Sequence, residues 1–367
     1  MLEETDIIEN DKEGFIMKAL VKYKKGRGCA ELRNIPEPTP GPGEVKCRVV
    51  KAGICGSDIH VYHDTMNYVP PVVMGHEFVG YITEIGEGVT KYQPGDRVTA
   101  EIGHYVCGTC DFCREGLPTM CINRKSMGYV FDGVFAEYVI IPERDIVLVP
   151  KEIDSVSAML IEPLACCCRG CFDFTKVRPG MVVVVFGPGP MGQMIAQVCE
   201  ATGATVVMVG IDNDAERLKL AKELGADYVV NSHHEDLEAL VKSLTRGYGA
   251  DIAFECSESV EAVNTAMDIL RKTGTMVQFA CHSEPLNGVN WHTIFAKELR
   301  IFGAMSAVTH NFQQGVELLK NKQVNIKPIG DSLFQLEDWK DAIALQESKK
   351  AYKVGFDISP DEYEENS

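Results

Sequence analysis

The stretch MVVVVFGPGPMG at residues 181–192 joins an aliphatic run to a glycine-rich turn. The run is β-branched and bounded by Pro179-Gly180 and by Gly187, which predicts a buried parallel strand. Gly187, Gly189 and Gly192 follow the spacing G-x-G-x-x-G, and Pro190 and Met191 open a segment that is apolar at positions 191, 194, 195 and 198. Strand, glycine turn and helix in this order predict a dinucleotide site, in which the turn approaches a pyrophosphate and the helix N–H groups bind it. An ordinary glycine-rich turn is the structural alternative.

The alternation of strand and helix continues along the chain. Further strands are expected at residues 206–209, 228–230, 251–254, 276–279 and 299–302. A helix is expected at 215–224, with Gly225 as its stop signal. Together these elements predict a six-stranded, doubly wound α/β sheet.

Composition sets the broad class of the protein. The chain has 367 residues, enough for two domains, with 45% hydrophobic and 24% charged residues. Its formal net charge of −17 disfavours nucleic acid and anionic membranes as partners, because both require a positive surface. A local Arg or Lys could still hold an anionic small substrate.

No segment predicts secretion or membrane insertion. The acidic N-terminus lacks the apolar region of a signal peptide, and the run at 181–186 is too short to cross a bilayer. We therefore expect a cytoplasmic location, where thiols stay reduced. Both the N-terminal residues and the tail DEYEENS are expected to be solvated, frayed ends.

Four cysteines lie close together in HYVCGTCDFCREGLPTMC, residues 104–121. Cys107, Cys110, Cys113 and Cys121 have the spacing C-x2-C-x2-C-x7-C among loop-forming residues. Four thiolates complete a tetrahedron around zinc and leave no open position, which is typical of a structural site. The alternative is a chance group of reduced surface thiols.

A second group of metal-binding residue types lies upstream. AGICGSDIH contains Cys55, and VMGHEFVG places His76 beside Glu77. A thiolate, an imidazole and a carboxylate suit zinc with an open coordination position, where chemistry can occur. Ser57 and His60 follow Cys55 closely and could form a short proton path.

These motifs resemble the zinc-dependent medium-chain dehydrogenases, in particular the polyol, sorbitol and threonine dehydrogenase branch. The resemblance covers nearly the whole chain. It rests on GICGSDIH, GHEFVGYITEIGEGVTKYQPGDRV, the four-cysteine lobe, DGVFAEYV, EPLA at 162–165 and GPGPMG.

The resemblance implies a GroES-like β-barrel catalytic domain at residues 1–161, with the structural zinc lobe at about 104–122. A Rossmann domain would follow at 162–303, and residues 304–367 would return to the catalytic domain and end in the acidic tail. It implies two zinc ions per chain. Cys55, His76 and Glu77 would bind the catalytic zinc, with Glu162 able to approach or replace a ligand. Ser57 would take the substrate proton and His60 would relay it, while residues Cys166–Cys168 would only pack a helix.

The substrate implied by the resemblance is a secondary alcohol of a polyol, sugar or sugar-alcohol phosphate, oxidised to a ketone. Possible pocket residues are Tyr62, His63 and Tyr68, and Arg300 could contact a phosphate of cofactor or substrate.

Cofactor choice depends on the end of the second predicted strand. Gly210 holds the position at which an acid usually binds the adenosine ribose, and Asp212 follows two residues later. Asp212 and Asp214 would repel a 2′-phosphate, which favours NAD over NADP.

Two alternatives to an NAD-linked enzyme stay open. One is an NADP-linked reductase of the same fold, and the other is a non-catalytic, zinc-stapled binding or redox-sensing protein. The resemblance also implies a homodimer or homotetramer that assembles through the edge strand near 300–304.

Overall fold

The computed structural model describes residues 15–103, 105–281 and 285–363. The N-terminal residues, His104 and the end of the acidic tail therefore lie outside the described structure. Within the described residues, no helix is both long and apolar enough to cross a bilayer.

The strands of the described chain are β1 Ile16–Lys22, β2 Ala30–Pro36, β3 Glu44–Gly53, β4 Val72–Val73, β5 Glu77–Ile85, β6 Arg97–Ala100, β7 Tyr138–Pro142, β8 Ile146–Leu148, β9 Val182–Phe186, β10 Thr205–Gly210, β11 Tyr228–Asn231, β12 Ala250–Glu255, β13 Leu270–Gln278, β14 Arg300–Gly303, β15 Ser332–Phe334 and β16 Val354–Asp357. Its α-helices are α1 Gly56–Tyr62, α2 Asp111–Arg114, α3 Ser155–Met159, α4 Ile161–Cys168, α5 Pro190–Ala201, α6 Ala215–Glu223, α7 Leu237–Leu244, α8 Val260–Ile269, α9 Trp291–Lys297, α10 Thr309–Lys320 and α11 Trp339–Glu347.

Six strands form a parallel sheet in the order β11-β10-β9-β12-β13-β14. This is the strand order of a doubly wound dinucleotide-binding fold, with its crevice where the order reverses at β9. Every residue of β9 is buried, as its aliphatic sequence predicts. In α5 the side chains of Met194, Ile195 and Val198 are fully buried against the sheet. The predicted six-stranded sheet is confirmed.

The fifth strand of this sheet begins earlier than its sequence predicts. β13 starts at Leu270, directly after α8, and Leu270 pairs with Ala250. The pairing register then shifts before Thr275, and Thr273 has a φ of +62°. A polar segment with an irregular backbone carries no alternating pattern, so only the regular half of the strand could be recognised locally.

A mixed seven-stranded sheet forms the second layer, in the order β15-β16-β3-β5-β6-β8, with β7 also paired to β3. Strand β16, near the end of the chain, pairs antiparallel with the end of β3, so that Gly355 lies opposite Gly53. The C-terminal part of the chain therefore completes a sheet that the N-terminal part begins. Strands β2, β1 and β4 form a smaller sheet.

The first residues of the acidic tail are anchored, which corrects the expectation of a frayed end for this part of it. Arg48 donates from Nη1 to the carbonyl of Pro360 at 2.9 Å. The Asp361 carboxylate accepts a hydrogen bond from Ser155 and lies 4.0 Å from Nε of Arg97. Arg48 and Arg97 are both buried, and a buried guanidinium requires such acceptors.

One apolar cluster connects the two large sheets. It contains Val50 of β3, Val79 of β5, Leu164 of α4 and Val183 of β9, each fully buried. Helix α4 packs against α5 and α10 within this cluster. The side chains of α4 are therefore held between the two sheets.

Candidate active site

Three potential metal ligands meet where β3 ends and β5 begins. Cys55 precedes α1, and His76 and Glu77 stand at the start of β5. Pairing of Gly53 with Glu77 across the two strands brings these segments together. One ligand atom from each of the three side chains lies within 4.8 Å of the others. The carboxylate of Asp58 accepts the backbone N–H of Cys55 at 2.8 Å and fixes the turn into α1.

The chemistry of this group fits zinc. His76 and Glu77 are buried, yet Nδ1 of His76 and Oε2 of Glu77 have no hydrogen-bond partner in the described structure. The nearest carboxylate oxygen to His76 Nδ1, on Asp58, is 3.5 Å away without hydrogen-bond geometry. An unpaired buried carboxylate oxygen is costly, and a bound cation would satisfy Oε2 of Glu77, while Asp58 stands beside Nδ1, where a carboxylate can orient the ring of a metal-binding histidine. Three mixed ligands also leave the open position of a catalytic zinc site.

A buried lysine stands behind the predicted ligands. Lys353 donates from Nζ to Oε1 of Glu77 at 2.6 Å, and the two side chains are 7% and 0% exposed. Burial lowers the pKa of Lys353, but the charges of Glu77 and Cys55 more than offset this, so that its pKa lies above the ordinary value. The ion pair orients Glu77 so that its second carboxylate oxygen stays unpaired.

The predicted proton path begins at a hydroxyl pair. Tyr129 donates its hydroxyl hydrogen to Oγ of Ser57 at 2.7 Å. Burial raises the pKa of Tyr129 well above its ordinary value, so the phenol stays protonated. Ser57 and His60 are three residues apart in α1 and so share a helix face, and His60 Nδ1 lies 2.9 Å from the hydroxyl oxygen of Thr65. Sequence analysis did not identify Tyr129, because it is far from Ser57 along the chain.

Glu162 lies near the three ligands but is not part of their close group. Its carboxyl interacts electrostatically with His76 and Glu77, while Oε1 accepts a hydrogen bond from Cys166 Sγ at 3.5 Å. Burial raises the pKa of Glu162, and the neighbouring Glu77 charge adds to this against the opposing effect of His76. In the described arrangement Glu162 is held back from the ligand group.

The three cysteines after the EPLA motif have different environments. Cys167 and Cys168 are fully buried packing residues in α4, as expected. Cys166 differs from that expectation, because it contacts the Glu162 carboxylate.

The four lobe cysteines converge as their spacing predicts. Their Sγ atoms all lie within 4.8 Å of one another, with separations of 3.5 Å for Cys110–Cys113 and 3.6 Å for Cys107–Cys121. A tetrahedron with zinc–sulfur bonds of about 2.3 Å has sulfur separations of about 3.8 Å, whereas a disulfide needs about 2.05 Å. Backbone N–H groups of Thr109 and Cys110 lower the pKa of the Cys107 thiol to about 5. The lobe, which includes the single turn α2, therefore fits a structural zinc ion.

The glycine turn has the close contacts that a dinucleotide site requires. Gly187 has a φ of +93°, which only glycine adopts readily. A Cβ at Gly192 would lie 2.0 Å from the carbonyl oxygen of Gly187, whereas one at Gly189 would have no atom nearer than 3.8 Å. Pro190 is the first residue of α5, directly before Met191. The unpaired N–H groups of this first helical turn face the crevice at the end of β9.

Asp212 follows the end of β10 and interacts with the end of β11. Its carboxylate contacts Nδ1 of His233 at 2.9 Å, Nδ2 of Asn231 at 2.9 Å and Nε2 of His234 at 2.7 Å. The hydrogen bonds from His233 and Asn231 lower the pKa of Asp212 to about 2. Asp214, by contrast, accepts the backbone N–H of Ile211 and caps the turn.

Four residues considered for the pocket have other surroundings. Tyr62 packs edge-on to Trp339, and His63 pairs with Glu347. Tyr68 is buried, and its hydroxyl donates a hydrogen bond to the carboxylate of Asp64. Arg300 is exposed at the start of the edge strand β14, whereas the crevice lies at the carboxyl ends of the central strands. The sequence around an aromatic residue or an arginine does not show whether its side chain packs against the protein or binds a ligand.

Comparison with known proteins assigns the family. The model of the alcohol dehydrogenase GroES-like domain matches residues 41–151, and the model of the zinc-binding dehydrogenase domain matches residues 190–321. A sorbitol dehydrogenase from Halalkalibacterium halodurans is 41% identical over 338 residues, which cover 92% of this chain and 98% of that protein. The chain belongs to the zinc-binding alcohol dehydrogenase family.

Other members of the zinc-binding alcohol dehydrogenase family match over nearly their full length. A D-arabitol-phosphate dehydrogenase from Enterococcus avium is 34% identical over 348 residues, 95% of this chain and 99% of that protein. A Sinorhizobium meliloti structure, described as a zinc-binding dehydrogenase bound to NADP, has a TM-score of 0.85 and 29% identity, covering 94% of this chain and 100% of its own. The predicted fold class, a GroES-like domain with a Rossmann domain, and the assignment as a dehydrogenase are confirmed.

Proposed function

We propose that the protein oxidises a secondary alcohol of a polyol, sugar or sugar-alcohol phosphate to the ketone, with NAD as hydride acceptor. The observation that carries this proposal is the close group of Cys55 with the buried His76 and Glu77, in which Oε2 of Glu77 has no hydrogen-bond partner among the described residues, together with the Ser57–Tyr129 hydroxyl pair. The sorbitol and D-arabitol-phosphate dehydrogenases among the relatives support a polyol as the substrate class.

Each residue of the site has a distinct task in this proposal. Cys55, His76 and Glu77 would hold a zinc ion, and the nearby Glu162 would be a further carboxylate available to it. Zinc bound there supplies Lewis acidity, which makes the substrate hydroxyl a stronger acid. Ser57 then accepts the hydroxyl proton and His60 passes it to solvent, while the carbon gives its hydride to the nicotinamide.

Tyr129 positions Ser57 for this proton transfer. Because the phenol donates to Ser57 Oγ, that oxygen keeps a free lone pair toward the substrate and can donate its own hydrogen onward. A proton leaves the substrate hydroxyl and a hydride leaves its carbon, so that the alcohol loses two electrons and the dinucleotide gains them.

We propose a second, structural zinc ion in the four-cysteine lobe. The Sγ separations and the lowered pKa of Cys107 support it. The expected content is therefore two zinc ions per chain, which elemental analysis of the purified protein can measure. A content of one ion that survives replacement of Cys55 would assign zinc to the lobe alone.

NAD is favoured over NADP by the charge at Asp212. Its low pKa keeps the carboxylate ionised at neutral pH, where it would accept the ribose hydroxyls and repel a 2′-phosphate. We expect Asp212→Asn to raise the ratio of kcat/KM for NADP to that for NAD several-fold. An unchanged ratio would mean that this carboxylate does not face the adenosine ribose, and would favour the NADP-linked alternative if wild type prefers NADP.

The proposal also covers domain organisation and assembly. The pairing of β16 with β3 supports a division at about 1–161, 162–303 and 304–367. Ile301 in the edge strand β14 and Met305 just after it are exposed, which supports a homodimer or homotetramer formed through that edge. Light scattering of the purified protein would measure the number of subunits.

The decisive experiment is nicotinamide reduction by zinc-replete protein with free polyols, sugar-alcohol phosphates and L-threonine, with NAD and NADP in parallel. Cys55→Ser should abolish turnover, whereas Cys281→Ser, at an exposed cysteine outside both clusters, is the matched control. His60→Ala should lose much less than Cys55→Ser, because solvent can partly replace a relay. Full activity of Cys55→Ser would contradict the catalytic site, and failure of wild type to bind either dinucleotide would favour the non-catalytic alternative.

A further inference from the structure

Arg124 is a partly buried cation close to the proposed active site. Three residues after the last lobe cysteine, its backbone N–H donates to the carbonyl of Cys121 at 3.1 Å. Its guanidinium interacts electrostatically with Glu162, Tyr129 and Cys166, all of which belong to the surroundings of the proposed catalytic zinc. Burial lowers the pKa of Arg124, but a guanidinium stays charged at any physiological pH.

The guanidinium of Arg124 has only one side-chain hydrogen bond among the described residues. Nη2 donates to Oγ of Ser306 at 2.9 Å. No carboxylate oxygen of the described chain lies within the 4.0 Å of an ion pair, although Glu162 and Glu101 are near enough to interact at longer range. Most of the five N–H donors of this arginine are therefore unused by the described protein.

The loop that holds Ser306 is itself fixed. Arg169 donates from Nη1 to the carbonyl of Met305 at 2.6 Å and to that of Ser306 at 3.3 Å. The Arg169 guanidinium therefore binds backbone carbonyls and fixes the loop at Met305–Ser306. Arg124 contacts a loop that Arg169 already holds in place. This arrangement holds the Arg124 guanidinium in a defined place without a direct ion pair.

Two other cations, Lys353 and Arg300, do not have this property. Lys353 is paired with Glu77 at 2.6 Å, and Arg300 is exposed at the far edge of the parallel sheet. Partial burial of a cation without a close counter-ion costs stability, and the protein as a whole carries a charge of −17 that would repel an anionic substrate. A guanidinium that has no direct ion pair and interacts with Glu162 offsets part of that repulsion locally.

We propose that Arg124 binds an oxyanion carried by the substrate, either the phosphate of a polyol phosphate or the carboxylate of a hydroxy acid. This inference rests on the proposed dehydrogenase function and specifies which substrates it prefers. A guanidinium presents N–H donors in a planar fork that matches the oxygens of both groups, which the point charge of a lysine does not.

The test compares substrates that carry an oxyanion with a substrate that carries none. We would measure kcat/KM of zinc-replete protein for a pentitol phosphate, for L-threonine and for the free pentitol. In Arg124→Gln the ratio of charged to uncharged substrate should fall about 10- to 100-fold, the loss expected for hydrogen bonds to a charged group. Arg124→Lys should give an intermediate ratio. Arg178→Gln removes the same charge at an exposed position outside the site and should keep the wild-type ratio.

The arms of this experiment separate the two oxyanions. A fall confined to the pentitol phosphate would assign Arg124 to phosphate, and a fall confined to L-threonine would assign it to carboxylate. Equal falls for charged and uncharged substrates in Arg124→Gln would overturn the inference and leave Arg124 a positioning residue, while the proposed dehydrogenase function would stand.

Calorimetric titration with the pentitol phosphate and with L-threonine gives a readout that does not depend on turnover. We expect Kd for the preferred anion to rise about 10- to 100-fold in Arg124→Gln. Equal Kd values in wild type and variant for both anions would refute the inference. Arg124-dependent binding without turnover of any substrate would instead contradict the proposed function.

Discussion

Replacing Lys353 with Met would test how much the ion pair behind the proposed zinc ligands contributes to stability. The Lys353 and Glu77 side chains are 7% and 0% exposed, and their contact is 2.6 Å long. Among the described side chains, no other lysine or arginine forms an ion pair with the Glu77 carboxylate. Removing one partner of a buried ion pair costs about 3–5 kcal/mol, because the other charge stays buried and uncompensated. In zinc-free protein we expect Tm to fall by roughly 5–10 °C.

Lys51→Met provides a control at the pairing of β3 with β16. Lys51 lies 2.6 Å from Asp357 at the end of β16, the same separation as in the buried pair, but Asp357 is 44% exposed. An exposed ion pair contributes at most about 1 kcal/mol, so this variant should shift Tm by only a degree or two. Because the two ion pairs have the same length, a difference in Tm between the two variants would report the effect of burial.

Calorimetric melts of wild type, both single variants and Lys353→Met/Glu77→Gln would measure the effect with and without zinc. The double variant should recover much of the lost stability, because it no longer buries an unpaired charge. Zinc should also reduce the loss in Lys353→Met, since the ion compensates the carboxylate. The reasoning is refuted if Lys353→Met and Lys51→Met shift the zinc-free Tm equally.

Three further predictions concern the remaining parts of the site. Gly192→Ala places a Cβ 2.0 Å from the Gly187 carbonyl oxygen. Fluorescence titration should therefore show weaker NADH binding, and thermal melts should show a loss of about 1–3 kcal/mol in stability. Wild-type binding and stability in this variant would contradict the tight turn. Tyr129→Phe removes the 2.7 Å hydrogen bond to Ser57 and should lower kcat about 3- to 10-fold, with a fall in Tm of only about a degree or two; an unchanged kcat would exclude a positioning role. Cys110→Ser opens the lobe, so elemental analysis should find one zinc ion fewer per chain; two retained ions would place the second zinc elsewhere.

Sequence patterns predicted the parts of the molecule that depend on neighbours along the chain. The turn at Gly187–Gly192 and the four lobe cysteines have fixed local spacings, and the chemistry of each spacing could be recognised directly. The aliphatic strand β9 was equally clear, since every one of its residues is buried.

Residues that reach the site from distant segments had no such signal. Lys353 is 276 residues from Glu77, and Tyr129 is 72 residues from Ser57. An isolated lysine before a short strand, or a tyrosine in a loop, resembles an ordinary surface or packing residue until tertiary structure is known. For the same reason the sequence could not show that Arg124 lacks a close carboxylate.

The pairing of β16 with β3 has a consequence for the order in which the molecule is assembled during synthesis. The parallel sheet uses one contiguous stretch, β9 to β14, whereas Gly53 meets Gly355 across almost the entire chain. Domains generally fold as units while the ribosome proceeds, and distant contacts form late. The nucleotide-binding half can therefore be complete before translation ends. The sheet that carries Glu77 closes only when residues 354–357 have left the ribosome, and the proposed metal site acquires Lys353 at that step.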